Sequence, residues 1–170
     1  MNETLNIIKK YNLSTKKKFG QNFLVDGSLL DKIVGVAGDI SGKNVLEVGP
    51  GPGGLTRSIL KKNPKKLVSV EIDADLFKIL KEEFSRYGNF FVDNEDALKV
   101  DEGKYFDGGI NVIANLPYNV GTVLLMKWLG NLSMFDSFVL LLQKEVVERI
   151  VAVPSTKDYG RLSVMVQALC

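Results

Sequence analysis

The chain has 170 residues, 45% hydrophobic and 25% charged, enough apolar material for one globular domain with a real core. Histidine is absent and Cys170 is the single cysteine. This excludes Ser-His-Asp and Cys-His nucleophiles, imidazole metal sites, an internal disulfide and a thiolate zinc site, and no metal is expected. No uncharged apolar run is long enough to span a membrane. The lysine-rich N-terminus lacks the apolar stretch of a secretory signal, and cysteine usage suits a reducing cytoplasm. Chemistry must come from carboxylates, amides, aromatics, backbone groups or a cofactor.

The net charge of +2 is unevenly spread. Residues 1–20 hold five lysines against Glu3, a net +4, and the remainder holds 17 basic and 19 acidic residues, a net −2. Residues 1–20 therefore read as a basic arm, either a solvated tail or an edge for a polyanion, ahead of a body over 21–170. Leu29, Leu30, Ile33, Val34 and Ala37 recur at helical spacing, with Asp26 or Ser28 as cap. An apolar strand over Asn44–Val48 runs into the glycine cluster Gly49–Gly54, and a helix through Leu55, Ile59 and Leu60 stops at Asn63-Pro64. A second strand, Leu67–Ile72, leads to a helix from Asp73 with Leu76, Phe77, Leu80 and Phe84 on one face. Short strands follow at Asn89–Val92 and Ile110–Ala114, then a helix over Thr122–Leu129 and a strand over Ser137–Leu142. Gln143–Val153 predicts a helix with Val146, Val147, Ile150 and Val151 inward, ended by Pro154, and Arg161–Leu169 predicts another. Apolar strands alternating with helices imply an α/β fold: a mostly parallel sheet covered on both faces, with ligands at the carboxyl ends of the strands.

Gly49-Pro50-Gly51-Pro52-Gly53-Gly54 leaves a strand and opens a helix, so backbone can approach a ligand without an intervening side chain. Gly49, Gly51 and Gly54 satisfy G-x-G-x-x-G, and Glu71, 22 residues after Gly49, is placed to hold two ribose hydroxyls. On these residues a dinucleotide oxidoreductase fits equally well. Two further acids point elsewhere. Glu47 puts a carboxylate where a pyrophosphate is repelled and a cation attracted. Asp96, after the third strand, is an acceptor suited to an adenine amine. Ribose, adenine and a positive centre together describe S-adenosylmethionine.

Asn115-Leu116-Pro117-Tyr118 follows the fourth strand and fits an Asn/Asp-x-Pro-aromatic pattern of methyltransferases acting on exocyclic amines. The Asn115 side-chain oxygen and the carbonyl of Leu116 or Pro117 can each accept an N–H from such an amine. Those bonds align its nitrogen with the methyl group. Pro117 stiffens the loop, and Tyr118 offers a face to an extruded base.

From Lys16 to Cys170 the sequence resembles the ribosomal RNA small-subunit adenine N6,N6-dimethyltransferases. The resemblance lies in Lys18-Phe19-Gly20-Gln21-Asn22-Phe23-Leu24, Glu47-Val48-Gly49-Pro50-Gly51, Glu71-Ile72-Asp73 and Asn115-Leu116-Pro117-Tyr118. It continues in Leu142-Gln143-Lys144-Glu145-Val146 and Tyr159-Gly160-Arg161-Leu162-Ser163-Val164. It implies a Rossmann-like class I methyltransferase fold. The implied reaction is transfer of two methyl groups from S-adenosylmethionine to N6 of each of two adjacent adenosines near the 3′ end of small-subunit rRNA. It implies cofactor contacts at Asn22, Leu24, Gly49, Glu71, Asp96 and Asn115, with Gln21, Glu47, Gly51, Ile72 and Ala97 beside them. Phe19–Leu24 would fold over the cofactor, leaving Lys16, Lys17 and Lys18 beside the entrance as phosphate contacts. Lys144, Arg149 and Arg161 are weaker candidates.

Family members continue past position 170 with two more strands, an aromatic-bearing loop facing Tyr118 and a helical C-terminal domain. The chain is therefore expected to be the catalytic domain without its last two strands. Its expected partner is rRNA in an assembling small subunit, and an uncovered fifth strand is expected to promote self-association. The rival readings are a resistance-type methyltransferase of large-subunit rRNA, a mitochondrial transcription-factor relative and an NAD-dependent oxidoreductase.

Overall fold

A computed structural model describes residues 3–16 and 23–170. Five parallel strands form one sheet in the order β3-β2-β1-β4-β5. They are β1 (Asn44–Val48), β2 (Lys66–Val70), β3 (Phe90–Asp93), β4 (Ile110–Asn115) and β5 (Phe135–Leu141). The helices are α1 (Glu3–Lys10), α2 (Gly27–Val36), α3 (Gly54–Leu60), α4 (Ala74–Glu83), α5 (Gly121–Leu129), α6 (Lys144–Ile150) and α7 (Arg161–Leu169). The Asp26 carboxylate accepts the Ser28 and Leu29 amides at the start of α2, and Asp73 accepts the Asp75 amide at the start of α4.

β1 pairs with both β2 and β4, so it is buried along its whole length. On one face Val45, Leu67 and Ile113 pack with Leu30 and Val34 of α2, Ile59 of α3, and Leu80 and Phe84 beside α4. On the other, Leu46, Val68 and Val112 pack with Leu124 and Trp128 of α5 and with Val100 and Phe106 of the β3–β4 connection. Trp128 stacks on Phe138 at 5.8 Å between ring centroids. Leu125 and Leu129 of α5 hold Leu162 of α7 in a smaller cluster.

Several elements differ from the sequence reading. The basic arm contains helix α1, with Thr4 and Ile7 buried, rather than a solvated tail throughout. Glu3 pairs with Arg57 at 2.7 Å and Lys10 with Glu83 at 2.7 Å, so long-range ion pairs and one apolar side chain decide a helix too short to persist alone. β2 ends at Val70 rather than Ile72, which frees Glu71 and Ile72 to leave the sheet. In α4 it is Ile79, not Phe77, that is buried with Leu76 and Leu80.

Helix α6 stops at Ile150, and Val147 and Val151 are exposed instead of inward; only Val146 and Ile150 reach the small cluster. The reason is α7. Ser163 Oγ donates to the Arg149 carbonyl, and Gln167 Nε2 donates to the carbonyls of Ile150 and Ala152 at 2.7 and 2.9 Å. Carbonyls at the end of α6 are thus satisfied from outside, and the helix need not continue.

β5 starts two residues earlier than expected, at Phe135, and includes the exposed charge of Asp136. It is an edge, as expected. No helix among the described residues is long and apolar enough to cross a membrane.

Ile113, fully buried in β4, is expected to lose about 2–5 kcal/mol of stability as Ile113→Ala. Val151→Ala, at a position 64% exposed, is expected to stay within about 0.5 kcal/mol. Urea denaturation of the two variants measures the contrast, and a similar cost for both would contradict the core assignment.

Candidate functional site

Connections from β1 to β2 to β3 step one way across the sheet, and those from β3 to β4 to β5 step the other way. The reversal opens a crevice between the carboxyl ends of β1 and β4, where open α/β sheets bind ligands. A cleft of about 290 Å³ occupies this place. Its walls come from the loop after β1 (Gly49–Gly54), the end of β2 (Glu71, Ile72), the turn after β3 (Glu95–Leu98) and the loop after β4 (Asn115–Val120). Phe23 and Leu24 complete it.

Gly49 has φ +68°, and a Cβ there would lie 3.8 Å from the Asn115 carbonyl, so the loops after β1 and β4 meet across this residue. Gly53 has φ +83°, and a Cβ would fall 2.4 Å from the Phe84 ring. The turn into α3 therefore has no room for a side chain at Gly53, while at Gly49 it is the left-handed backbone that disfavours one.

Glu71 is buried. Its Oε1 accepts the Asp73 amide at 2.9 Å and its Oε2 the Gly51 amide at 3.3 Å. The carboxylate thus joins the glycine loop to the start of α4 while lining the cleft. Burial pushes its pKa from 4.5 up to about 7, against the opposing effect of those amides. Asn94 Nδ2 fixes the Glu71 carbonyl at 2.7 Å. Asp96 lines the opposite wall, with Oδ1 accepting the Leu98 amide at 3.0 Å.

After β4, the Leu116 amide donates to the Leu141 carbonyl at 3.3 Å, and the Pro117 carbonyl accepts the Val120 and Gly121 amides, both at 3.1 Å. Of the two expected backbone acceptors, Pro117 is thus engaged at the start of α5. Leu116 is buried, and Tyr118 is 57% exposed at the rim.

The cleft brings together Leu24, Gly49, Gly51, Glu71, Ile72, Asp96, Ala97, Asn115, Leu116, Pro117 and Tyr118 from the sequence prediction. Gln21, Asn22, Lys17 and Lys18 lie outside the described residues. Two expectations are corrected. Glu47 does not line the cleft: alternation along β1 turns it with Val45 under α3, where Oε2 accepts Thr56 Oγ1 at 2.7 Å and Ser69 Oγ at 2.6 Å. It joins β1, α3 and β2 beneath the glycine loop, and its Oε1 is buried without a hydrogen-bond partner among the described residues.

Lys16 is not an open phosphate contact, because its ammonium pairs with Asp73 at 2.9 Å and Asp75 at 2.8 Å. The sequence reading did not single out Glu95 or Asn119 for the cleft. Both adjoin predicted site residues, and that adjacency was the available signal.

Burial is the main reason Glu47 rises from 4.5 to about 7, with the hydroxyls of Ser69 and Thr56 opposing and the charge of Glu71 adding. The native chain therefore keeps a proton that the unfolded chain releases. Stability is full below about pH 4.5, falls as pH rises toward about 7, and the loss is complete above it. Glu47→Gln is expected to flatten this window by on the order of 2 kcal/mol, leaving the part due to Glu71. Denaturation midpoints at about pH 5 and about pH 8 measure it, and an unchanged difference would assign the whole effect elsewhere.

Residues 12–170 match the family model described as ribosomal RNA adenine dimethylase. A ribosomal RNA small subunit methyltransferase A of Wolbachia sp. subsp. Drosophila simulans is 46% identical over 164 residues, 96% of this chain and 60% of that protein. The protein of the same name from Cereibacter sphaeroides is 48% identical over 164 residues, 95% of this chain and 59% of its own. The chain thus spans about 60% of the length of these curated relatives. Among solved structures, a dimethyladenosine transferase from Plasmodium falciparum superposes with TM-score 0.74 at 31% identity, covering 86% of this chain and 52% of that one. The 23S rRNA methyltransferase ErmE superposes with TM-score 0.70 at 29% identity, covering 85% and 55%. With its sheet order, its cleft and a match along nearly its whole length in agreement, the chain belongs to the ribosomal RNA adenine dimethylase family.

Proposed function

We propose that this chain binds S-adenosylmethionine in the β1/β4 cleft and contributes to dimethylation of N6 on two adjacent adenosines near the 3′ end of small-subunit rRNA. The observation that carries this reading is the convergence of the glycine loop, Glu71, Asp96 and Asn115–Tyr118 on one cavity from four separate strand ends. When bound, the cofactor supplies a methyl group on a positively charged sulfur. Glu71 suits the ribose hydroxyls: it is buried at the end of β2, lines the cleft, and its carboxylate is held in place by the Gly51 and Asp73 amides with acceptor capacity left over. Asp96 suits the adenine amine, and Gly49, without a side chain and lining the cleft beside Asn115, suits the extended remainder of the molecule.

The target amine is a poor nucleophile because its lone pair is delocalised into the ring. Asn115 Oδ1 and the Leu116 carbonyl are the proposed acceptors of its two N–H groups, since the Pro117 carbonyl already serves α5. Those bonds turn the nitrogen lone pair toward the methyl carbon as the carbon–sulfur bond breaks, and the nitrogen then releases a proton. Tyr118, exposed at the rim, is placed to stack on the extruded base.

The assembling small subunit as partner, a cytoplasmic location and phosphate contacts by Lys17 and Lys18 belong to the same proposal. The 44–48% identity to proteins named small subunit methyltransferases favours this substrate over large-subunit rRNA. ErmE keeps the alternative as a defined arm of the test.

Glu71→Ala is expected to weaken S-adenosylmethionine binding by about 1.5–3 kcal/mol in calorimetry, because a charged acceptor for two hydroxyls is lost. Asn115→Ala is expected to lose most methyl transfer with a smaller effect on binding. Transfer of radiolabelled methyl to immature small subunits supports the reading. Labelling of large-subunit rRNA alone, or binding of NAD in place of S-adenosylmethionine, overturns it.

Self-association through β5 is the remaining partner proposal. The strand is an edge with Phe138–Leu141 uncharged, although Asp136 protects its first residues. Light scattering over a dilution series is expected to show concentration-dependent dimers, and a strictly monomeric chain rejects the proposal.

A further inference from the structure

Lys127 stands in the last turn of α5, outside the cleft lining. An ammonium has three N–H donors, and this one reaches three acceptors: the Ala97 carbonyl at 3.0 Å, the Val100 carbonyl at 2.5 Å and Glu102 Oε1 at 2.8 Å. The same carboxylate oxygen accepts the indole N–H of the fully buried Trp128 at 2.8 Å. The Lys127 side chain is 27% exposed and that of Glu102 9%, so solvent screens this pair weakly and removing one partner leaves a poorly solvated charge.

These acceptors flank one short turn. Within it the Lys99 amide donates to the Asp96 carbonyl at 2.8 Å and the Leu98 amide to Asp96 Oδ1 at 3.0 Å. Asp96 and Ala97 form one wall of the cleft, and Leu124, one turn before Lys127 on α5, lines it as well. Helix α5 in turn begins directly after the Asn115–Val120 loop. A single ammonium therefore ties the wall that carries Asp96 to the helix that carries the acceptor loop.

We propose that Lys127 is a specificity-determining positioning residue: by tethering residues 97–100 to α5 it fixes the Asp96 carboxylate, so that the cleft selects a 6-aminopurine over a 6-oxopurine. This rests on the reading of the cleft as an S-adenosylmethionine site. A 6-amino group presents N–H donors to the carboxylate, whereas a 6-oxo group presents an acceptor and moves the nearest donor to the adjacent ring nitrogen. A fixed carboxylate meets that oxygen with repulsion. A carboxylate on a loosened turn can swing to the ring N–H and recover a hydrogen bond. Discrimination between the two purines thus measures how firmly the turn is held, apart from overall stability.

The test compares S-adenosylhomocysteine with S-inosylhomocysteine, its 6-oxo counterpart, by calorimetry on the 170-residue chain and its Lys127→Met variant. The unsubstituted chain is expected to prefer the adenosine compound by about tenfold or more, as for a hydrogen bond to a charged acceptor. In Lys127→Met that preference is expected to fall to about threefold or less, with amide exchange of Leu98 and Lys99 accelerated while the β1 and β4 amides stay protected. Should Lys127→Met fail to fold, Lys127→Gln is used instead: its shorter, neutral side chain has two donors for three acceptors and leaves Glu102 without its counter-charge, so a partial fall in the preference is expected. A folded variant with undiminished preference overturns the role of Lys127 and leaves the cofactor reading standing. An unsubstituted chain that binds neither compound overturns both.

Discussion

The right-handedness of parallel strand connections is the constraint on which this molecule depends. Each crossover must return over the same face for a given direction of travel, so α3 and α4 cover one side of the sheet. When the chain reverses after β3, the next connection and α5 must cover the other. β1 is left hydrogen-bonded on both edges and buried throughout. The loops that leave β1 and β4 diverge to opposite faces, and the crevice between them is a consequence of topology rather than of any one side chain.

Charge is then arranged around that crevice in two tiers. Glu71 lines the cavity, and the Gly51 and Asp73 amides fix its carboxylate in place. Glu47 lies one layer below, beneath the glycine loop, and hydroxyls from α3 and β2 converge on it. Both are pushed up to about 7 by burial, so ionising either of them at neutral pH works against desolvation.

The walls of the crevice are also tied to one another. Gly51 is linked to Glu71, Asn94 to the Glu71 carbonyl, and Lys127 to the turn after Asp96. Most of these ties use a side chain from one loop and a backbone group of the next. Displacement of one wall therefore moves its neighbours, and the cleft behaves as a unit although its residues come from four separate strand ends.

Much of this is legible in the amino-acid sequence. Strand and helix periodicity, the glycine cluster at a strand end, and the order Glu71, Asp96, Asn115 along the chain are local properties, and they point to the fold class, most of the strands and helices, and the glycine loop, Glu71, Asp96 and Asn115–Tyr118 of the cleft, whereas Leu24, Ile72 and Ala97 come from the family resemblance. Local signals do not report which face of β1 receives Glu47, because alternation acquires a meaning only once α3 is in place above it. Nor do they show that Lys16 is taken by Asp73 and Asp75, a contact spanning 57 and 59 residues. The same holds for α1, which is held by burial of Ile7 and by ion pairs to Arg57 and Glu83, and for α6, whose end is settled by Ser163 and Gln167 of another helix. Lys127 reads in sequence as an ordinary helix-end lysine. Only the packing of α5 against the β3–β4 connection brings three acceptors around its ammonium, because hydrogen-bond partners distant in sequence are chosen by the fold and not by their neighbours in the chain.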